Sequence, residues 1–294
     1  MEGPRHGCDR AATPAEGPIE VVVVAYGAPD LLDRCLAAVD RAFPVTVIDN
    51  SSLAEVRSVT ERHGAAYVDP GANRGFGAGV NLGLDLLPEA ADVLLLNPDA
   101  AIDREGVLRL RRCLHSDPGL ACVAPDQVDP NDGSHARVGW PFPTPIGAWV
   151  EAVGAGRFRR SDRFMIGSIL LLRAEAVADV GRFDERFFLY AEETDWQRRA
   201  WNRGWRVALC PEVVATHVGA GTGGDSVQRD IHFHASNERY LRKHHGAAGW
   251  AVFRTGVMAG SLARALVLPG DRGRRAATQF HLYRRGPLRS ESQL

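Results

Sequence analysis

Residues 19–25, Ile-Glu-Val-Val-Val-Val-Ala, form an almost unbroken β-branched run. A strand with one wet face alternates apolar and polar side chains, so a run of this kind belongs in a sheet covered on both faces. Residues 29–39 follow with apolar side chains at Leu31, Leu32, Cys35, Leu36 and Val39, the spacing of a one-sided helix. The pattern then repeats. Short apolar strands are expected at 45–48, 66–69 and 93–96, with a helix over 53–63 between the first two. Strand-helix alternation of this kind predicts an α/β fold with a mostly parallel, Rossmann-like sheet and helices on both faces. Ligands of such sheets bind where the strands end at their carboxyl edge, and Asp49, Asn73 and Asp99 all fall at those ends.

The chain has 294 residues, 45% of them hydrophobic, enough to bury a substantial core. Its formal net charge of −1 gives no general attraction to nucleic acid. Residues 1–18 are rich in Gly, Pro and charge and read as a disordered leader without the apolar centre of a signal peptide. Five cysteines (Cys8, Cys35, Cys113, Cys122 and Cys210) form neither a Cys-x-x-Cys pair nor an even set. That pattern predicts free thiols and a reducing, cytoplasmic location. From residue 250 onward, Trp250, Phe253, Val257, Leu262 and Leu266 are interleaved with Arg254 and Arg264, and an arginine-rich tail follows. This suits either a peripheral helix held at an anionic membrane surface or one that packs on the domain or forms a homo-oligomer.

The Gly-rich segment 71–79 has neither the dinucleotide fingerprint, since it follows the third strand, nor the Gly-Lys-Ser/Thr ending of a P-loop. What it retains is a backbone that a ligand can approach closely, with Arg74 available to a phosphate. Asn97-Pro98-Asp99 places an amide oxygen and a carboxylate at a strand end, suited to a hard divalent cation such as Mg or Mn. Residues 183–196 pack Asp184, Glu185, Glu192, Glu193 and Asp195 among aromatics. Taken alone, such a cluster is commonly the solvated start of a helix.

Five motifs stand in order: Val-Val-Ala-Tyr-Gly, Val-Ile-Asp-Asn-Ser-Ser, Asn-Arg-Gly-Phe-Gly-Ala-Gly-Val-Asn, Leu-Leu-Leu-Asn-Pro-Asp and Gly-Arg-Phe-Asp-Glu-Arg-Phe-Phe-Leu-Tyr-Ala-Glu-Glu-Thr-Asp-Trp. Together they resemble the family 2 inverting glycosyltransferases, in the branch of the rhamnosyltransferases and galactofuranosyltransferases. The resemblance implies a GT-A fold over residues 19–245, with a nucleotide-sugar-binding half (19–100), an acceptor and catalytic half (101–245) and a C-terminal helical extension (246–294). It implies a nucleotide-diphosphate sugar donor, by branch one of rhamnose, Mg or Mn, and a hydroxyl acceptor on a lipid-linked saccharide, a polysaccharide precursor or a secondary metabolite. Tyr26 and Asp49 match the base and ribose positions, and Asn73, Arg74 and Gly75 match the diphosphate lining. Asn97 and Asp99 fall on the metal motif, usually Asp-x-Asp, so one charge is missing here, and His217 matches a histidine near the metal. Gly167 falls under the donor sugar, Trp196 and Asn237 are further substrate-binding candidates, and residues 140–149 read as a flexible loop by the acceptor cleft. The matching general base is Glu193, where the family carries Asp, and Asp195 and Glu192 are the other candidates. A nucleotidyltransferase and a non-catalytic nucleotide-sugar-binding module are the alternative readings.

Overall fold

The computed structural model describes residues 17–39, 41–158, 164–219 and 226–294, so the expected leader lies almost wholly outside it. The first run of the sequence is β1 (Ile19–Ala25), with every residue buried. Its side chains alternate between two cores, as the two faces of a strand must. Val21 and Val23 join Leu36 and Val39 of α1 (Pro29–Val39), Val56 of α2 (Ala54–Arg62) and Leu110 and Leu114 of α4 (Arg104–His115). Val22 and Val24 face the other way, toward Val80 and Leu84 of α3 (Phe76–Leu86), Val180 of α6 (Ala174–Val180) and Trp196 of α7 (Glu192–Asn202).

The remaining strands are β2 (Val45–Asp49), β3 (Ala66–Val68), β4 (Asp92–Leu96), β5 (Ala100–Ala101), β6 (Leu120–Val128), β7 (His135–Ala136), β8 (Gly139–Trp140), β9 (Phe164–Met165), β10 (Ile169–Leu172) and β11 (Arg206–His217). Among the described residues the main sheet runs β3-β2-β1-β4-β10-β6-β11-β5, with β7 on the edge of β6 and β8 paired with β9 apart from it. β1 is parallel to β2 and β4, and β11 is parallel to β6. β10 runs antiparallel between β4 and β6, pairing Ile169 with Leu96 and Leu171 with Val123. The sheet is therefore mostly parallel, as the alternation predicts; the short edge strands β5 and β7 run backward, as does β10, which joins the two halves.

The glycines of α3 have a packing role as well as the expected one beside a ligand. A Cβ at Gly79 would lie 2.7 Å from Val24 Cγ1, and one at Gly83 would lie 2.6 Å from Val22 Cγ1. α3 is pressed onto β1 more closely than any larger residue permits.

Two expectations are corrected, and of the readings left open for the C-terminal helices, packing on the domain is the one observed. The segment 140–149 is not a loop throughout, since α5 (Gly147–Ala152) begins within it. The C-terminal helices α8 (Ser226–Val267), α9 (Gly270–Arg285) and α10 (Pro287–Glu291) are part of the fold. α8 is broken at Gly246, whose φ of 69° is not helical, and beyond the break Trp250 packs with Tyr240, Leu241, Tyr283, Phe142 and Phe187. The apolar stripe of residues 250–258 is thus largely spent on an internal core. The thiols are not all free either: Cys113 of α4 and Cys210 of β11 form a disulfide. Cys35 and Cys122 are buried free thiols, Cys8 lies outside the described residues, and the argument for a reducing compartment loses its premise. Among the described residues no helix is long and apolar enough to cross a membrane.

Candidate active site

The carboxyl ends of β1, β2 and β4 open on a cavity of about 360 Å³. Tyr26, Asn73, Gly75 and Asn97 line it, and Arg74 is exposed between two of them. Tyr26 presents nearly half its surface. Asp49, expected here, is completely buried instead. One carboxylate oxygen accepts from the backbone N–H and hydroxyl of Ser51, and the other from Leu53 N–H at 3.0 Å and Tyr67 O–H at 2.9 Å. With both oxygens engaged, Asp49 anchors the turn after β2. Its neighbour Asn50 reaches the cavity in its place, donating to the Gly75 carbonyl at 3.1 Å while its own buried Oδ1 has no partner. The opposite wall comes from Phe188 and Leu189, within the acidic and aromatic segment ahead of α7, and from Gln228, Arg229 and His232 of α8. Phe76 N–H donates to the Phe188 carbonyl at 3.0 Å, and a Cβ at Gly75 would lie 2.2 Å from that oxygen, so this crossing requires glycine.

The proposed metal residues are brought together. β5 pairs with the end of β11, setting His217 opposite Ala100, and His217 Nε2 lies 3.3 Å from Asp99 Oδ1. That oxygen is buried and has no hydrogen-bond partner. An imidazole nitrogen and an orphaned carboxylate oxygen facing one another form a donor pair that a divalent cation would satisfy, and Mn accepts both ligand types. Asn97, two residues earlier, faces the cavity. Another close group, Cys113, Cys210 and Glu212, offers no thiolate because its two sulfurs are bonded to each other.

Asn97 N–H donates to the Ser168 carbonyl at 2.8 Å, so the segment entering β10 lies directly against the metal motif. Glu193 lies over Gly167: a Cβ there would meet Glu193 Cβ and Cγ at 3.4 Å. Asn97 and Glu193 are thus joined through two adjacent residues, Ser168 and Gly167, while Asp99, His217, Gly167 and Glu193 do not themselves line the 360 Å³ cavity.

The three candidate bases at the start of α7 have different surroundings. Asp195 is fully buried and held by Arg199 at 2.9 Å, Lys243 at 2.6 Å and His244 at 2.8 Å. Burial opposes its charge, but bonds from His244, Lys243 and Arg199 keep its carboxyl below the usual range, so it is a structural anchor. Glu192 is buried against α3, with Oε2 unpartnered, and burial together with the charge of Glu193 pushes its pKa well up. Glu193 is half-buried, and burial raises its carboxyl to about 7 while the N–H groups of Glu193, Thr194 and Gly167 pull it back down. A half-buried carboxylate poised near neutrality suits proton transfer. Tyr190 (φ 68°) and Ala191 (φ 65°), just before it, both occupy the left-handed region, a costly conformation for side chains that clusters at functional sites.

Two substrate-binding candidates do not fit. Trp196 has no exposed surface, stacks on Phe183 and donates its N–H to the Gly181 carbonyl. Asn237 donates to the Phe233 carbonyl of its own helix and lies off the cavity.

No family model matches the chain. Among curated proteins it is 29% identical over 280 positions to the N-acetylglucosaminyl-diphospho-decaprenol L-rhamnosyltransferase of Mycobacterium tuberculosis, covering 83% of this chain and 90% of that one. It is 25% identical to the low-salt glycan biosynthesis hexosyltransferase Agl10 of Haloferax volcanii, covering 68% of this chain and 66% of that one. The chain is a glycosyltransferase. Its fold matches S. aureus TarS (TM-score 0.54, 14% identity, 94% of this chain and 92% of that one). It also matches GalNAc-T7 solved with UDP, GalNAc and Mn2+ (TM-score 0.58, 15% identity, 91% and 55%). These likenesses give this glycosyltransferase a GT-A fold, with the cavity at the sheet edge where the strand order predicts it.

Proposed function

We propose that this glycosyltransferase moves a sugar, L-rhamnose by kinship with the mycobacterial relative, from a nucleotide-diphosphate donor to a hydroxyl of a lipid-diphosphate-linked saccharide, with inversion. The observation that carries this reading is the placement of Glu193: a half-buried carboxylate, raised to about 7 by burial, above Gly167, whose neighbour Ser168 bonds to Asn97 at the end of β4. Tyr26 and Asn50 are placed to hold the nucleoside. Asn73, Arg74 and Gly75 are placed to meet the diphosphate with one side-chain charge and the amino end of α3.

Asp99 and His217, with Asn97 beside them, would hold Mg or Mn, which when bound neutralises charge on a leaving diphosphate. Glu193 takes the proton of the acceptor hydroxyl as that oxygen forms its bond to the anomeric carbon. The bond from that carbon to the diphosphate oxygen breaks with its electron pair, and attack from the opposite face inverts the centre. Gly167 leaves room for the sugar ring where a side chain would intrude. We further propose that the enzyme works at the inner face of the plasma membrane. Ile146, Trp149 and Val153 remain exposed around α5, as do Leu262, Leu266 and Val267 near the end of α8.

The test is release of nucleotide diphosphate from donor in the presence of acceptor and Mn. Turnover in the wild type and at least about a hundredfold loss in Asp99→Ala are expected. Equal rates in the two would reject the metal assignment.

A further inference from the structure

A second cavity, about 530 Å³ in volume, lies behind the donor cavity, and the donor reading does not account for it. Arg186, Phe187, Arg239, Arg242, Lys243 and Leu288 line it. The two cavities share a wall. Arg186 and Phe187 face the second cavity, while the next two residues, Phe188 and Leu189, face the first. On α8, Gln228, Arg229 and His232 serve the donor side, and Arg239, Arg242 and Lys243 serve the other. A chain of polar contacts crosses between them, His232 to Glu291 at 2.8 Å and Glu291 to Arg239.

The counter-charges are set behind the cations. Arg186 pairs with Asp184 at 2.6 Å, Arg242 with Glu238 at 2.8 Å, Arg239 with Glu291, and Lys243 with both Asp184 and Asp195 at 2.6 Å. Each of these carboxylates is at most 14% exposed, whereas Arg186 and Arg242 are 70% and 47% exposed. Guanidinium groups have donors beyond those a single carboxylate takes. Arg239 Nη1 is buried without a partner, and the bonds of Arg242 to Glu238 are made by Nε and Nη2. Four fixed cations with spare donors, two of them on open side chains, match a ligand with several anionic oxygens better than a single carboxylate.

We propose that this cavity binds the diphosphate of the lipid-linked acceptor, an inference that rests on the acceptor class proposed above. Its position fits that role. Lys243 reaches Asp195 on α7, the helix whose second residue is Glu193, so the cationic cavity is tied to the element that carries the base. An acceptor held by its diphosphate here would have its sugar within one wall of the donor.

The test uses the full chain with its donor cavity filled by saturating UDP, and methylene diphosphonate as the probe, followed by calorimetric titration. Wild type should bind the diphosphonate, and Arg186→Gln/Arg242→Gln should bind it at least about tenfold more weakly with unchanged UDP affinity. Glutamine keeps a hydrogen bond to each carboxylate. If the double variant melts early, Arg186→Gln alone, at the most exposed of the four, should still weaken binding. In turnover, KM for an N-acetylglucosaminyl-diphosphoryl prenol should rise by a similar factor with kcat retained, while octyl N-acetylglucosaminide, which lacks phosphate, is used equally well by both proteins. Undiminished diphosphonate binding in the variants, or none in wild type, would overturn the proposal. So would loss of phosphatidylglycerol vesicle binding with diphosphonate binding intact, which would make the patch a headgroup contact. Weakened diphosphonate binding in a protein that transfers no sugar would sink the transfer reading and leave the site standing.

Discussion

Glu193 gives this site a measurable pH signature. Its carboxyl is raised to about 7 by burial, so the basic form accumulates only as pH passes that value. The rate, as kcat/KM, should climb with unit slope below about pH 7 and level off above it. Glu193→Gln should lose about 10²- to 10⁴-fold in turnover while keeping donor affinity. Stability runs the opposite way. A carboxyl that holds its proton more tightly when folded favours the native state at low pH, and that advantage disappears as pH rises from the ordinary carboxylate range through about 7. The melting temperature of the wild type should therefore fall relative to Glu193→Gln between about pH 5 and 8, and parallel curves would contradict the raised pKa. At this scale sequence reading goes as far as residue type and strand end. It proposes Asn73, Asn97, Asp99 and Glu193, but cannot tell which member of Asp49-Asn50 turns inward. Asp49 is the one buried in hydrogen bonds, and Asn50 reaches the cavity. Trp196 misleads for the same reason: an aromatic among carboxylates looks alike whether it stacks on a sugar or on Phe183.

Elements were more legible than side chains. The bounds of α1 and β1 follow from apolar spacing alone, because the first has one buried face and the second has two. The reason for the glycines of α3 was only half visible. The Gly-rich segment 71–79 reads as access for a ligand, whereas Gly79, and Gly83 beyond that segment, let the helix rest on Val24 and Val22. Gly83→Ala, two turns beyond the cavity, should therefore cost about 1–3 kcal/mol in a urea titration through overpacking, with donor affinity preserved. A neutral or stabilising result would mean that α3 can lift from β1 without penalty.

For the whole molecule, the amphipathic stretch after residue 249 could not be assigned in advance, since an apolar stripe reads the same against lipid or protein. Trp250 and Tyr283 are in fact sealed into a core with Phe187, so deleting the C-terminal helices would damage the fold as well as any membrane contact. Leu262, Leu266 and Val267 are the residues to change. Replacing the three with Ser should reduce flotation with anionic vesicles and leave the melting temperature within about a degree, since exposed substitutions are near neutral. Unaltered flotation would remove this surface from the membrane reading. The bond between Cys113 and Cys210 was illegible for a related reason: the two residues are 97 positions apart, and only the docking of α4 against β11 brings them together.

The reversed direction of β10 has a further consequence. Parallel neighbours all leave the sheet at one edge, so a segment can arrive at that edge only by entering a strand that runs backward. The chain uses this to deliver Gly167 and Ser168 to the very place where β4 departs, seventy positions after Asn97. Proximity there is set by the order of strands and is indifferent to the distance travelled in between. Insertions in the excursion between β6 and β9 can lengthen that journey without moving its destination.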